Sequence, residues 1–240
     1  MRLRLLFLAV ATLVVASLAH AKEAYVTFTF DDAPKSVAEV GLPILKKYGF
    51  PATVYISTRN TTFEGYMDWD DIAKVANAGW EIGAHSHTHP HLTKVTDTKI
   101  REELETSTQW FREHGYTPVS FVPPYGDINP RVMKFVKEYY KTMRTGFPHA
   151  YNTVPPKDWY NLAAYDVGDD ITLADLSTMF DDLQRDGGWV LLVMHHVTPP
   201  GQDLEHDSDT NLLDDIAKMV KERGIFVLTV EGALNQFSNN

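Results

Sequence analysis

The chain has 240 residues, 44% of them hydrophobic and 12% aromatic, which suits one large core and excludes a disordered chain. A formal net charge of −10 lacks the basic footprint of a nucleic-acid binder. With no cysteine there is no disulfide framework and no thiolate chemistry, so any metal must be held by histidines and carboxylates.

Arg2 and Arg4 form a positive n-region, Leu5 to Leu18 is almost wholly apolar, and Ala19-His20-Ala21 fits a small-x-small cleavage pattern. Residues 1–21 therefore read as a secretory signal peptide, too short in its apolar run for a spanning helix, leaving 22–240 as one domain. Cleavage removes two arginines and no acid, moving the net charge from −10 to −12. The mature protein is expected to be secreted or periplasmic, free of the membrane and monomeric, with no nucleic-acid partner.

Tyr25–Phe30 alternates polar and aromatic residues, the period of a strand. Ser36 stands as the cap of a helix near Val37–Tyr48 that Gly49 stops. Ala52–Ile56 predicts a second strand, Asp68 caps a helix ending near Gly79, and Trp80–Ala84 predicts a third strand. Asp97–Glu113 is the longest helical pattern. Ser120–Val122 is a short strand run, and Asn129-Pro130 opens a helix with proline in its first position. Lys141–Thr145 and Leu162–Tyr165 are weaker strand runs, and Thr172 caps a helix to about Arg185. Trp189–Met194 is a strongly apolar strand, Leu212–Glu222 a helix and Ile225–Thr229 the last strand. This alternation predicts an α/β fold, a (β/α) barrel of about seven parallel strands, with chemistry at the C-terminal strand ends.

Polar residues do fall just after the strand runs: Asp31-Asp32, His85, Pro123-Pro124-Tyr125-Gly126 and His195-His196. Singly each is weak, because an aspartate pair is usually a solvated turn and a strand-end histidine usually a satisfied polar group. In His85-Ser-His-Thr-His89-Pro-His91, four of the chain's ten histidines lie within seven residues. Two imidazoles separated by three residues can converge on one metal, and two histidines plus a carboxylate make an open site for zinc or a similar ion. Of Asp31 and Asp32, one can ligate and the other can act as general base. His195, ending a rigid apolar strand, is suited to general acid, with His196 as the competing candidate on the opposite face.

Four stretches in order resemble the polysaccharide deacetylases, carbohydrate esterase family 4. They are Thr29-Phe30-Asp31-Asp32-Ala33-Pro34, His85-Ser86-x-x-His89-Pro90, Pro123-Pro124-Tyr125-Gly126 and Leu191-x-Val193-x-His195. The resemblance implies a distorted (β/α) barrel. It implies Asp32, His85 and His89 as ligands of a divalent metal, usually zinc, with cobalt or nickel also accepted. It implies Asp31 as the general base, the Tyr125 backbone N–H beside Pro124 as an oxyanion donor, and His195 as the acid for the leaving amine or alcohol. The implied partner is an acetylated polysaccharide or oligosaccharide, a GlcNAc-containing glycan such as a chitin oligomer or peptidoglycan, that releases acetate. The alternatives are an acetylxylan esterase or a catalytically silent carbohydrate-binding relative.

The sequence departs from the family pattern at three places. Ala33 stands where the family usually has glycine, tolerable unless the turn needs positive φ. Val122 stands where the family usually has an arginine paired with the base, and Arg144, near the end of the next strand, is the expected replacement. Asp166-Val-Gly-Asp169-Asp170 lacks the tryptophan of the family's fourth motif. Asp169 either orients His195 or belongs to a loop before the helix, and Trp159, Trp189 and Tyr165 are candidates for the missing aromatic wall.

Overall fold

A computed structural model describes residues 22–146, 149–168, 171–199 and 207–238. The signal peptide read at residues 1–21 lies outside them, as does Asp169. The strands are β1 (Ala24–Phe30), β2 (Thr53–Ile56), β3 (Glu81–Ala84), β4 (Ser120–Phe121), β5 (Thr142–Met143), β6 (Tyr165–Asp166), β7 (Gly188–Met194), β8 (His196–Thr198), β9 (Asp207–Asp209) and β10 (Phe226–Val227). The helices are α1 (Leu42–Tyr48), α2 (Trp69–Asn77), α3 (Asp97–Glu113), α4 (Pro130–Tyr139), α5 (Leu173–Asp186), α6 (Thr210–Glu222) and α7 (Val230–Phe237).

The main sheet runs β5-β4-β3-β2-β1-β7-β6, all parallel. β1 and β7 pair along their whole length, from Ala24 opposite Gly188 to Phe30 opposite Met194. The other edge of β1 is shared: β10 takes its start at Tyr25 and Val26, and β2 takes its end at Thr29 and Phe30. The two sheet edges approach each other through residues 159–166. Met143 N–H donates to the Trp159 carbonyl at 2.8 Å and Thr145 N–H to that of Leu162 at 3.0 Å, and the same segment runs on into β6. The fold is thus the (β/α) barrel that strand–helix alternation predicts, distorted as the family resemblance implies, in one α/β unit.

Side-chain alternation divides each strand between two faces. Val26, Phe28 and Phe30, with Val190, Leu192 and Met194, pack outward in the large cluster that includes the helices. Tyr25, Trp189, Leu191 and Val193 face the opposite way and pack with Leu162, Ala164 and Phe237. The inner face is partly polar. Trp189 Nε1 donates to Thr27 Oγ1 at 2.8 Å, and Glu81 accepts the Thr53 hydroxyl at 3.0 Å and the Glu231 N–H at 2.7 Å. Gly83 is required there, because a Cβ would stand 2.5 Å from the Tyr55 ring. One step past each strand, the same parity brings Asp31, His85, Val122, Arg144 and His195 to the inner face at the C-terminal end of the barrel.

Several elements differ from the sequence expectation. Ser36 does not cap a helix: its Oγ accepts the Val197 N–H at 3.0 Å, and residues 37–41 form a π-helical turn that leads into α1. The run to Thr229 is cut to Phe226–Val227, because Thr229 caps α7 by accepting the Gly232 N–H at 2.9 Å. α7 and the small β8–β9 sheet are additions that no periodicity marked.

Candidate active site

The chain turns sharply after β1. Asp32 and Ala33 both take positive φ, 63° and 54°, a region that disfavours any residue with a Cβ. The turn is held from outside: Met67 N–H donates to the Ala33 carbonyl at 2.9 Å and Lys35 N–H to that of Gly65 at 2.8 Å. The outcome is that Asp31 stays on the inner face, 3% exposed, while Asp32 swings toward the histidine loop.

After β3, His85 is anchored by its backbone N–H to the Ile56 carbonyl at 3.0 Å. Its Nδ1 lies 2.7 Å from the Val122 carbonyl, which can only accept, so Nδ1 carries the proton and Nε2 the lone pair. His85 Nε2 is 3.1 Å from His89 Nε2, and Asp32 Oδ1 is 3.5 Å and 3.1 Å from those two nitrogens. Ligand atoms about 2.0–2.1 Å from a tetrahedral ion stand about 3.3 Å apart, so this triangle fits a single divalent cation. Among the described residues it is the only such group of histidines and carboxylates. Burial pushes the Asp32 carboxyl up, but the hydrogen bond from His89, with the other imidazoles around it, holds it well below the usual carboxylate range. Burial lowers the pKa of His85, favouring the neutral ligand form.

The other two histidines of the run point elsewhere. His87 Nδ1 meets Thr58 Oγ1 at 2.8 Å and its ring stands edge-on to Trp110. His91 Nδ1 donates to Asp127 Oδ2 at 2.8 Å, and its ring stacks on Tyr125 at 3.8 Å between centroids. Tyr125, 58% exposed, takes φ 61° in the turn that follows buried Pro124, with its ring edge-on to His89. The Tyr125 ring thus lies against His89, one of the three residues that could hold a metal.

Asp31 Oδ2 accepts a hydrogen bond from Arg144 Nη2, an ion pair in which the arginine is 1% exposed. Among the described residues, Asp31 Oδ1 has no hydrogen-bond partner. Arg144 also lies over the Tyr55 ring, 5.7 Å from its centroid. Val122, at the family's arginine position, instead contributes its carbonyl to His85. Asp31 N–H donates to the Met194 carbonyl at 2.9 Å, which carries the β1–β7 register forward and sets His195 beside Asp31. His196 leaves the barrel in β8, opposite Asp207.

Two of the three proposed aromatic replacements lie elsewhere. Trp189 is wholly buried near the N-terminal end of β7, six positions before His195, and Trp159 packs against it. Tyr165 lies nearer, opposite Leu192 in the sheet, with its ring against His149. Glu103 on α3 was missed by sequence reasoning. Its carboxylate accepts the N–H groups of His87 and Thr88 at 3.0 and 2.7 Å. Only its i,i+4 spacing from Lys99, ordinary for a solvated helix face, marks it in the sequence.

A family model described as polysaccharide deacetylase matches residues 19–143. A peptidoglycan-N-acetylglucosamine deacetylase of Bacillus cereus is 29% identical over 210 residues, covering 87% of this chain and 67% of that protein. A peptidoglycan-N-acetylglucosamine deacetylase of Listeria monocytogenes is 28% identical over 136 residues, 56% of this chain, and the match spans 26% of that relative's length. Among solved structures, a family 4 acetyl xylan esterase from Clostridium thermocellum, in complex with a cobalt ion, superimposes with a TM-score of 0.63. Its sequence identity is 23%, and the match covers 88% of this chain and 91% of that one.

Proposed function

This chain belongs to the polysaccharide deacetylase family, and from that membership we propose that it is a secreted, metal-dependent enzyme that hydrolyses the N-acetyl groups of GlcNAc-containing glycans, releasing acetate. The observation that carries the reading is the Asp32–His85–His89 triangle with a buried, arginine-held Asp31 beside it. Asp32, His85 and His89 would hold a divalent cation, which when bound would supply Lewis acidity toward water and a carbonyl. Zinc is the ion proposed, with cobalt or nickel as substitutes.

Asp31 acts as the general base. Arg144 occupies Oδ2 and orients the carboxylate, so Oδ1 is the oxygen that takes the proton from the attacking water. The Tyr125 backbone N–H donates to the carbonyl oxygen as negative charge develops there. His195, set beside Asp31 by strand register, gives its proton to the departing amine. Hydrolysis leaves acetate and a free amino sugar, and atoms balance with one water consumed.

N-acetyl chemistry is placed ahead of O-acetyl because the B. cereus peptidoglycan deacetylase is matched across 87% of this chain. Acetate release from chitin oligomers and from peptidoglycan, beside acetylated xylan and with or without chelator, tests the reading. Chelator-sensitive release from the amide substrates is expected, with Asp31→Asn lowering kcat roughly 10²–10⁴-fold while metal stays bound. Release from xylan alone would make the protein an esterase. No release from any of the three with zinc bound would make it a carbohydrate-binding relative. N-terminal sequencing of the exported protein, expected to begin at Lys22, tests secretion and cleavage together.

A further inference from the structure

The loop between the two histidine ligands is not shaped by its own sequence. Ser86 and His89 both take positive φ, 66° and 59°, which neither residue type favours. Within the loop, only the Ser86 hydroxyl contributes a hydrogen bond, accepting the His89 N–H at 3.1 Å. From outside, the Ser86 and His87 carbonyls accept the Thr58 and Arg59 N–H groups at 3.2 and 3.0 Å, and the amides are held from α3. Glu103 is wholly buried, yet its carboxylate is spent on this loop: Oε2 accepts the backbone N–H groups of His87 and Thr88 at 3.0 and 2.7 Å, and Oε1 accepts the Thr88 hydroxyl at 2.5 Å. Lys99 Nζ, 3.0 Å from Oε1, balances the charge from the preceding turn of the helix.

A wholly buried carboxylate that collects two successive backbone amides and a hydroxyl sets the path of the chain it binds. The amides it collects sit immediately before His89. His85 does not depend on them, being fixed by β3, by the Val122 carbonyl and by the Ser57 hydroxyl on its own carbonyl at 2.8 Å. The two imidazoles are therefore held by different means, His85 by the barrel and His89 by a loop whose amides are taken by Glu103 and the Ser86 hydroxyl and whose carbonyls accept the Thr58 and Arg59 amides.

We propose that Glu103 is a positioning residue for the metal centre, holding the His87–Thr88 turn so that His89 Nε2 is pre-set against His85 and Asp32. The inference rests on reading those three residues as a metal centre. Removing Glu103 frees the His89 arm, so each binding event must order the loop again.

The test is the Zn2+ dissociation constant of the full mature chain, measured in competition with a chromophoric chelator without substrate. Glu103→Gln is expected to weaken binding roughly 10–100-fold, the range for partners behind metal ligands. Thr88→Val, which removes only the hydroxyl bond, is expected to weaken it several-fold, and Thr88→Ser to restore it. In a His89→Ala background, Glu103→Gln is expected to have no further effect. Should Glu103→Gln fail to fold, the Thr88 pair decides. Wild type that binds no zinc overturns the metal centre and this inference with it. Wild type that binds, with Glu103→Gln and Thr88→Val binding equally well and melting lower, overturns the role of Glu103 alone. An undiminished Glu103→Gln effect in the His89→Ala background does the same.

Discussion

At the scale of single residues, the site concentrates backbone strain. Asp32, Ala33, Ser86, His89 and Tyr125 are five of the six non-glycine residues with positive φ among those described. Such conformations disfavour a Cβ by roughly 1–2 kcal/mol each and cluster where surrounding structure over-determines them. Ala33 is the informative case, because its turn does need the conformation that glycine supplies freely. Ala33→Gly is expected to stay within about 1 kcal/mol of wild type in chemical denaturation, strain relief offsetting the entropy of the freer unfolded chain. Ala33→Val, β-branched at φ 54°, is expected to lose roughly 2 kcal/mol or more. Arg144 gives the second prediction at this scale. Breaking a buried ion pair by removing one partner typically destabilises by about 3–5 kcal/mol, so Arg144→Ala should be markedly less stable. It should also lose on the order of 10²-fold in kcat/KM, since Asp31 loses its orientation, while zinc affinity changes little. Equal turnover in the folded variant would remove Arg144 from the mechanism.

At the scale of elements, helix ends and loops position the chemistry. Asp68 Oδ1 accepts the Asp71 N–H at 2.9 Å and starts α2 directly after the segment that braces the Ala33 turn. Asp68→Ala is expected to cost about 1 kcal/mol, measured by urea titration. Arg131 at the start of α4 donates to the carbonyls of Thr93 and Val95, both at 3.0 Å, fixing the exit of the histidine loop. Glu103 links that loop to α3 and carries a pH signature. Burial pushes its carboxyl up, but the Thr88 hydroxyl and amide and the Lys99 ammonium outweigh it, and the net pKa falls below the usual glutamate value. A depressed carboxylate contributes stability that is fully present above its unfolded pKa and lost as pH falls through the folded one. Thermal unfolding followed between neutral pH and pH 3 should therefore show a shallower acid decline for Glu103→Gln than for wild type. An equally steep decline would assign the acid sensitivity to other carboxylates.

At the scale of the whole molecule, the core beneath the proposed metal centre is filled by side chains. The inner face below the site is filled by Trp189, Leu191, Val193 and the Glu81 network, and the outer face by the helix-covered cluster. A metal bound only to the folded state stabilises by about 2.7 kcal/mol at a hundred times its dissociation constant. Chelation should therefore lower the melting midpoint by on the order of 5–10 °C for a chain of this size, with the far-ultraviolet circular dichroism retained. Loss of the folded spectrum on chelation would mean that the metal holds the fold. No helix among the described residues is long and apolar enough to cross a membrane.

The alternation of apolar strands with capped helices is a local property, so the sequence by itself determined the barrel class and most element positions, Asp97–Glu113 and the Asp68, Asn129 and Thr172 caps included. It also determined that Asp31, His85, Tyr125 and His195 fall at strand ends, because parity and chain order are written in one dimension. Periodicity could not mark α7, whose cap Thr229 is the last residue of an expected strand, nor could it tell that Ser36 would bond to Val197 rather than to its own helix. The resemblance already named Asp32, His85 and His89 as ligands and Arg144 as the partner of Asp31; how the chain turns to bring these side chains together was decided only in three dimensions. Those outcomes follow from φ/ψ choices at Asp32, Ser86 and His89 that are locally unfavourable. Contacts from residues 65–67 and from Glu103, distant in the chain, impose them, and no local propensity encodes a conformation that the local chain would not choose.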